Sequence, residues 1–158
     1  MSKAWITTSS PHIRAVVNPI NAACHTGFVP DTVYVLENPG VEKEIALALE
    51  LATEVIEAYG KSSPEINVTT IESEVEFDLI HAHIRDAIEA VKEEGGEIAV
   101  DITPGRKFMS AIAFTAGIRY GADHVYYFYL TGSDHYGQSF PDIPRSAVRL
   151  YDFTEELK

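Results

Sequence analysis

The sequence predicts an α/β protein: a Rossmann-like three-layer sandwich on a mostly parallel six-stranded sheet with an antiparallel edge. Short apolar runs alternate with segments whose apolar residues recur every three to four positions, as in strands alternating with amphipathic helices. Such alternation favours a parallel sheet with helices on both faces. The last two predicted strands have no helix between them, so we expect them to pair in antiparallel fashion.

Six strands and four helices account for most of the chain. The predicted strands are Ala4–Thr8, Thr32–Leu36, Ile66–Ile71, Glu97–Ile102, Val125–Leu130 and Ala147–Phe153. Apolar periodicity predicts helices over residues 13–24, 45–56 and 80–91, and a fourth helix over Phe108–Tyr120. The fourth helix is apolar on nearly every side, so we expect the sheet and a second surface to cover it. We expect a single domain over residues 1–158.

Composition and charge narrow the classes of function. The 24 acidic residues outnumber the 12 basic ones, and a net charge of −12 argues against binding duplex nucleic acid. No apolar run approaches the roughly 20 residues of a membrane span. The start of the chain lacks the apolar region of a signal peptide, so we expect a cytoplasmic protein without a membrane partner. Cys24 is the single cysteine, which excludes an intrachain disulfide and a cysteine cluster for zinc.

Four loops that follow predicted strands are candidates for a ligand site, because open parallel sheets bind ligands beyond the carboxyl ends of their strands. These loops are residues 9–12, 37–40, 103–107 and 131–136, and all are polar and rich in small residues. None of them contains Gly-x-Gly-x-x-Gly, and the Walker A pattern is absent as well. We therefore expect no cofactor and no metal ion.

The segment Ala99–Met109 gives the strongest indication of a ligand. A predicted buried strand leads into Asp101 and Thr103, a Pro-Gly turn follows, and Arg106 and Lys107 lie in the predicted first turn of the next helix. Free backbone amides and the positive end of a helix dipole already favour an anion at such a place. Two cations stand where acids are expected, which predicts a bound phosphate.

The pattern Asp101-x-Thr103-x-x-x-Lys107 resembles the signature of the CARF (CRISPR-associated Rossmann fold) family, which lies on the same loop. Thr8-Ser9-Ser10-Pro11, after the first strand, is similar to a Thr-Ser-Pro loop found in many members. The resemblance in strand order and motif placement covers nearly the whole chain. One departure is Pro104, where the family often has a glycine; proline removes one amide donor from the turn.

The resemblance implies a stand-alone, ring-nuclease-like member that binds cyclic oligoadenylate, expected to be cyclic tetraadenylate, at a homodimer interface. It further implies slow, metal-independent cleavage, in which a ribose 2′-OH attacks the adjacent phosphorus and leaves linear products with a 2′,3′-cyclic phosphate. Such cleavage would switch off type III CRISPR signalling. Lys107 would stabilise the phosphate charge and Ser10 would fix the in-line geometry. The other expected ligand contacts are Ser9, Asn38, Thr103, Gly105, Arg106, Thr131 and His135.

The sequence leaves several alternatives open. The chain is this enzyme, a non-catalytic module that senses or sequesters cyclic oligoadenylate, or an unrelated Rossmann-like nucleotide-binding protein. Ser10 is equally consistent with capping the first helix, and Asp101 with ordering its own loop by accepting backbone amides. His12 and His135 lie on candidate loops, where they are either an acid or base near neutral pH or ordinary surface histidines.

Overall fold

In a computed structural model, which describes residues 2–60 and 62–158, the chain forms six strands and five α-helices. The strands are β1 (Lys3–Thr7), β2 (Thr32–Glu37), β3 (Glu65–Thr70), β4 (Glu97–Asp101), β5 (His124–Leu130) and β6 (Val148–Asp152). The helices are α1 (Ile13–His25), α2 (Glu42–Ala58), α3 (Phe77–Glu93), α4 (Lys107–Arg119) and α5 (Phe153–Glu156). No helix in these described ranges is long and apolar enough to cross a membrane.

All six strands form one sheet in the order β3-β2-β1-β4-β5-β6. The strands β1 to β5 are parallel, and β6 pairs with β5 in the antiparallel direction. The predicted Rossmann-like α/β fold with its antiparallel edge is therefore confirmed. The strand order reverses between β1 and β4, so the loops after these two strands leave the same edge of the sheet side by side.

Strand side chains alternate between two helical layers, because successive residues of a strand point to opposite faces of the sheet. Trp5 packs with α1 and α2 on one face, in a core that also contains Val33 and Val35. Ile6 packs with α3 and α4 on the other face, in a core that contains Val100. These five strand side chains are fully buried, which makes the sheet the middle layer of three.

His124 lies between two acidic side chains at the edge of the sheet where the parallel strands begin. Nδ1 of His124 lies 2.8 Å from Oδ2 of Asp152, and its Nε2 lies 2.8 Å from Oε1 of Glu97, so the ring links β4, β5 and β6. Burial disfavours the charged ring, but the bonds to Asp152 and Glu97 outweigh this and raise the pKa of His124. The His124 ring therefore joins the antiparallel strand β6 to β4 and β5.

The ends of some elements differ from the prediction. Helix α4 begins at Lys107, and Arg106 precedes it as an extended N-cap residue rather than lying in the first turn. Two 3-10 turns, Phe140–Asp142 and Arg145–Ala147, lie within and just after the segment predicted as a loop. The short helix α5 follows β6 because Asp152 caps it, accepting the N–H of Thr154 at 3.1 Å.

Candidate functional site

The loops after β1 and β4 are joined directly where the strand order reverses. The hydroxyl of Thr8 donates a 3.1 Å hydrogen bond to the carbonyl oxygen of Pro104. Gly105 follows with a φ of +93°, and a Cβ on it would lie 2.7 Å from Oγ1 of Thr8. Glycine is therefore required here by the backbone conformation and by the close approach of the neighbouring loop. The predicted ligand residue Gly105 lies at the junction of the two loops.

The carboxyl group of Asp101 anchors the loop after β4. It is fully buried, and it accepts the N–H of Thr103 at 3.0 Å and the hydroxyl of Thr7 at 3.2 Å. Burial raises the pKa of Asp101 to about 7, against the opposing effect of its bonds to Thr103 and Thr7. The hydroxyl oxygen of Thr103 also accepts the N–H of Phe128 at 2.9 Å, which joins the loop to β5. Asp101 therefore orders its own loop by accepting the backbone N–H of Thr103.

The loop after β2 joins the site through Asn38. Oγ of Ser9, which is fully buried, accepts the backbone N–H of Asn38 at 2.9 Å. Nδ2 of Asn38 donates to Sδ of Met109 on α4 at 3.3 Å, while its Oδ1 is buried and has no partner among the described residues. Leaving a buried acceptor without a partner costs about 1–3 kcal/mol. This oxygen is therefore a candidate to accept an N–H from a ligand.

Ser10 orders the turn that leads into α1. It is nearly buried, and its Oγ accepts the backbone N–H of His12 at 3.1 Å. His12 is the N-cap residue of α1 and is itself exposed. Ser10 therefore stabilises the turn before the helix and is not its cap. Within the described ranges the hydroxyl of Ser10 donates no hydrogen bond. Its proton is therefore available to an oxygen atom of a ligand.

The two cations at the start of α4 differ in their surroundings. Nε of Arg106 lies 2.8 Å from Oε2 of Glu74, which belongs to the segment between β3 and α3. Lys107 is exposed and has no ion pair or hydrogen bond with any residue that the structure describes. The first turn of α4 contains no acidic residue, so the ammonium group of Lys107 adds to the positive end of the helix dipole.

Glu74 is the site residue that sequence reasoning missed. It lies in an acidic surface segment, and nothing in its neighbours along the chain indicates that Arg106 is its partner. Exposed ion pairs of this kind contribute about 0–1 kcal/mol, so a phosphate would compete readily for the guanidinium group. The pair therefore lowers the local positive charge without removing Arg106 from the site.

The loop after β5 lies against α1, and no hydrogen bond within the described residues joins it to the two central loops. Asn18 of α1 donates to the carbonyl oxygen of Gln138 at 2.9 Å. Nδ1 of His135 lies 2.9 Å from Oε1 of Gln138, and Thr131 is exposed at the start of the loop. The structure thus gathers seven of the nine predicted residues around the junction through contacts or adjacency, and leaves Thr131 and His135 on a neighbouring loop.

Helix α4 presents a row of small and apolar residues to solvent. Its buried side faces the sheet and α3 and consists of Met109, Ala113, Ala116 and Gly117. The opposite side exposes Ala111, Thr115 and Ile118, which are four and three positions apart and so form one row. Besides the sheet, α3 covers part of this helix as expected, and the ring of Phe114 packs on that of Phe153 in α5, but this row stays exposed in the described chain. We call Ala111, Thr115 and Ile118 the α4 stripe.

These features define a Rossmann-like protein whose candidate ligand edge combines a helix N-terminus, a free ammonium group and a loop junction at the reversal of strand order. Within residues 2–60 and 62–158, no three His, Cys, Asp or Glu side chains lie close enough together to hold a metal ion. The chain belongs to the family of the CRISPR-associated protein NE0113 (Cas_NE0113), whose model matches residues 23–149. The predicted membership among CARF-domain proteins is confirmed.

Solved structures share this fold at low sequence identity. Can2 from Sulfobacillus thermosulfidooxidans, in complex with cyclic tetra-adenylate, superposes with a TM-score of 0.51 at 14% identity over 79% of this chain and 31% of its own. A type III CRISPR defence DNA nuclease activated by cyclic oligoadenylate gives a TM-score of 0.59 at 18% identity, over 83% of this chain and 19% of its own.

Csm6 from Enterococcus italicus, bound to cyclic hexa-2′-fluoro-hexa-dAMP, gives a TM-score of 0.59 at 17% identity over 87% of this chain and 35% of its own. This chain therefore spans about a fifth to a third of the length of these three proteins. No curated protein sequence matches the chain. The structural similarity at this level of identity concerns the fold.

Proposed function

We propose that this chain binds a cyclic oligoadenylate, with cyclic tetraadenylate as the first candidate, where the loops after β1 and β4 meet. Lys107 carries the proposal, because its free ammonium group stands at a helix N-terminus beside the joined loops, where a phosphate is favoured. The similar structures named above hold, or are activated by, cyclic oligonucleotides of this kind. With a net charge of −12, the rest of the surface repels a polyanion, so binding needs such a local site.

Groups with unused hydrogen-bonding capacity supply the remaining contacts. The buried Oδ1 of Asn38 accepts an N–H such as an adenine amino group, and the hydroxyl of Ser10 donates to a phosphate or ribose oxygen. Arg106 exchanges Glu74 for a phosphate. Thr131 and His135 reach the ligand only from the neighbouring loop, and we propose them as its outer contacts.

We further propose that two copies of the chain form the site as a homodimer. A ring of four identical nucleotides is two-fold symmetric, and a two-fold dimer presents two identical half-sites to it. The α4 stripe starts one turn after Lys107, so pairing through the stripe would bring two Lys107 side chains near one axis. The stripe is the exposed face of a helix whose other side is fully packed, which supports its use as an interface.

The dimer is tested by placing a charge in the stripe. Ile118 is 47% exposed in the single chain, and Leu47 on α2, on the other face of the sheet, is 44% exposed. We expect Ile118→Glu to convert the protein to a monomer in light scattering after gel filtration and to abolish ligand binding. Leu47→Glu, the matched control, leaves both unchanged. A monomeric wild type that binds cyclic tetraadenylate with a stoichiometry of one would contradict the dimer.

The proposed reaction is cleavage of the ring by its own ribose. The 2′-oxygen forms a bond to the adjacent phosphorus, the bond from phosphorus to the 5′-oxygen breaks, and a 2′,3′-cyclic phosphate and a 5′-hydroxyl result. The proton of the 2′-hydroxyl passes to water, and the departing 5′-oxygen takes a proton from water. Ser10 aligns the attacking and leaving oxygens, and Lys107 stabilises the added negative charge on the phosphate. With no strong base in the scheme, turnover is slow.

The cleavage test uses purified protein and cyclic tetraadenylate in EDTA, with linear products separated by chromatography. We expect linear product in excess EDTA and loss of most cleavage in Lys107→Ala. Lys92→Ala is the matched control, because Lys92 is an exposed lysine in the last turn of α3, away from the junction. It should cleave like the wild type. Ser10→Ala should lower the rate more than the affinity. Loss of activity on adding EDTA would contradict metal-independent cleavage.

The second candidate function is sensing without cleavage. Ser10 favours this candidate, because its nearly buried Oγ already accepts the N–H of His12 at 3.1 Å. This bond gives Ser10 a structural role that needs no reaction. This candidate predicts tight binding of cyclic tetraadenylate, weakened by Lys107→Ala, with the ring intact after prolonged incubation. The family match removes the third alternative, a Rossmann-like protein unrelated to CRISPR systems.

A further inference from the structure

The segment between β3 and α3 places an exposed aromatic ring beside the start of α4. Phe77, the first residue of α3, is 49% exposed, and its ring packs on that of Phe108 at an angle of 76°, with the centroids 5.4 Å apart. Phe108 directly follows Lys107 in α4. From the same segment as Phe77, Glu74 pairs with Arg106 at 2.8 Å. The ring of Phe77 is therefore fixed beside the start of α4, where both cations lie.

Hydrogen bonds hold the segment before this ring in one conformation. Oε2 of Glu76, the N-cap residue of α3, accepts the backbone N–H groups of Glu72 and Ser73, each at 2.9 Å. The N–H of Glu76 in turn donates to the carbonyl oxygen of Ser73 at 3.2 Å. Ile80, three positions after Phe77, is fully buried in a cluster that contains residues of α4. A ligand therefore meets a ring whose position is set before binding, which reduces the entropic cost of the contact.

Phe77 also lines an open hollow on the surface. The hollow has a volume of about 330 Å³, and Val75, Glu76, Asp78 and Leu79 complete its lining. The side chains of Val75 and Leu79 are exposed, so the hollow offers apolar surface. The carboxylates of Glu76 and Asp78 repel a phosphate, whereas an uncharged base meets no such repulsion. The hollow therefore suits the base of a nucleotide whose phosphate lies at the start of α4.

We propose that the ring of Phe77 stacks on an adenine base of the bound cyclic oligoadenylate and adds base recognition to the phosphate contact at Lys107. Stacking on an aromatic side chain is a common way for proteins to hold an unpaired base. A ring of four nucleotides shared by two copies of the chain gives each copy two bases, one for Phe77 and one for Asn38. This inference rests on the proposed function, because it places a base of that same ligand.

The first test measures the affinity for cyclic tetraadenylate by calorimetry. We expect Phe77→Ala to weaken binding about five- to thirtyfold, as for the weaker base–aromatic stacks. Phe77→Leu should weaken it nearly as much, because leucine keeps apolar area but has no aromatic face. Leu47→Ala, at a similarly exposed position on α2, is the matched control and leaves the affinity unchanged. Unchanged affinity in Phe77→Ala, beside a wild type whose binding depends on Lys107, would overturn the stacking and leave the proposed function standing.

The second test gives the ring an optical signal of its own. Trp5 is the single tryptophan of the chain and is fully buried, so Phe77→Trp adds one exposed indole at the hollow. Since stacking on adenine quenches indole fluorescence, we expect cyclic tetraadenylate to quench this added emission saturably. Leu47→Trp, the matched control, should show no quenching. Equal quenching in both variants, or none in Phe77→Trp while calorimetry shows that this variant binds the ring, would refute the stacking. Absence of binding in the wild type itself would refute the proposed function and this inference with it.

Discussion

The replacement of Gly105 by alanine tests the loop junction on which the candidate site depends. Alanine in a left-handed conformation costs about 1–2 kcal/mol. The new Cβ would lie 2.7 Å from Oγ1 of Thr8, so the hydroxyl has to move. Its 3.1 Å bond to Pro104 is then lost, at a further cost of about 0.5–1.5 kcal/mol. We expect Gly105→Ala to lower the free energy of unfolding by about 2–3 kcal/mol.

Gly95→Ala is the matched control for this variant. Gly95 has a φ of +74°, and a Cβ there would have no neighbour within 4 Å, so only the conformational cost applies. Unfolding in urea, followed by circular dichroism, gives both values. The difference between the two variants, about 0.5–1.5 kcal/mol, measures the contact with Thr8. Equal losses of stability in Gly105→Ala and Gly95→Ala would refute the close approach of the loops.

A double variant isolates the cause of the loss. Thr8→Ala removes Oγ1, and with it both the hydrogen bond and the obstacle to the new Cβ. In the wild-type background we expect it to cost about 1 kcal/mol, whereas in Gly105→Ala it should cost almost nothing, because the bond is already broken. Additive costs in this double-mutant cycle would show that Thr8 and Gly105 act independently.

Three further variants concern ionisable groups. The raised pKa of His124 means that its contribution to stability is complete below about pH 6.5 and is lost as the pH rises through the folded value. In urea titrations, His124→Gln should therefore be less stable than the wild type at pH 6, and this difference in the free energy of unfolding should shrink by pH 9. The raised pKa of Asp101 acts in the same direction, because the fold disfavours the ionised carboxyl group, so the wild type loses stability as the pH rises from about 4 to about 7. Asp101→Asn should therefore gain stability relative to wild type over this range, and a relative loss would contradict the assignment. Glu74→Gln should free Arg106 and tighten cyclic tetraadenylate binding about two- to fivefold in calorimetry, whereas unchanged affinity would remove Arg106 from the site.

The fold was predictable because its signals are local in sequence. The apolar run that contains Trp5 and the helical periodicity before Gly60 each depend on neighbours along the chain, and the structure has β1 and α2 where these patterns lie. The exact start of α4 was less predictable, since the Pro-Gly turn is compatible with a helix beginning at Arg106 or Lys107. The helix α5 has only four residues, so it is too short to show apolar periodicity in the sequence.

The partners of the site residues were not predictable, because they come from distant parts of the chain. Arg106 meets Glu74 across 32 positions, and the backbone of Asn38 meets Ser9 across 29. Sequence patterns reveal which strand ends carry polar residues, but not which of these residues bond to each other.

The residues of the Asp101-x-Thr103-x-x-x-Lys107 pattern divide into two physical roles. Asp101 and Thr103 bond to the protein itself and hold the loop against β1 and β5, whereas Lys107 has no partner in the described chain and faces solvent. Changes at the first two positions must therefore alter the free energy of unfolding and ligand affinity together, because they move the loop. We expect Lys107→Ala to weaken ligand binding without lowering the free energy of unfolding, because it breaks no bond within the described chain and removes a cation from a helix N-terminus. Comparing both quantities across the three positions thus distinguishes a residue that shapes the site from one that contacts the phosphate.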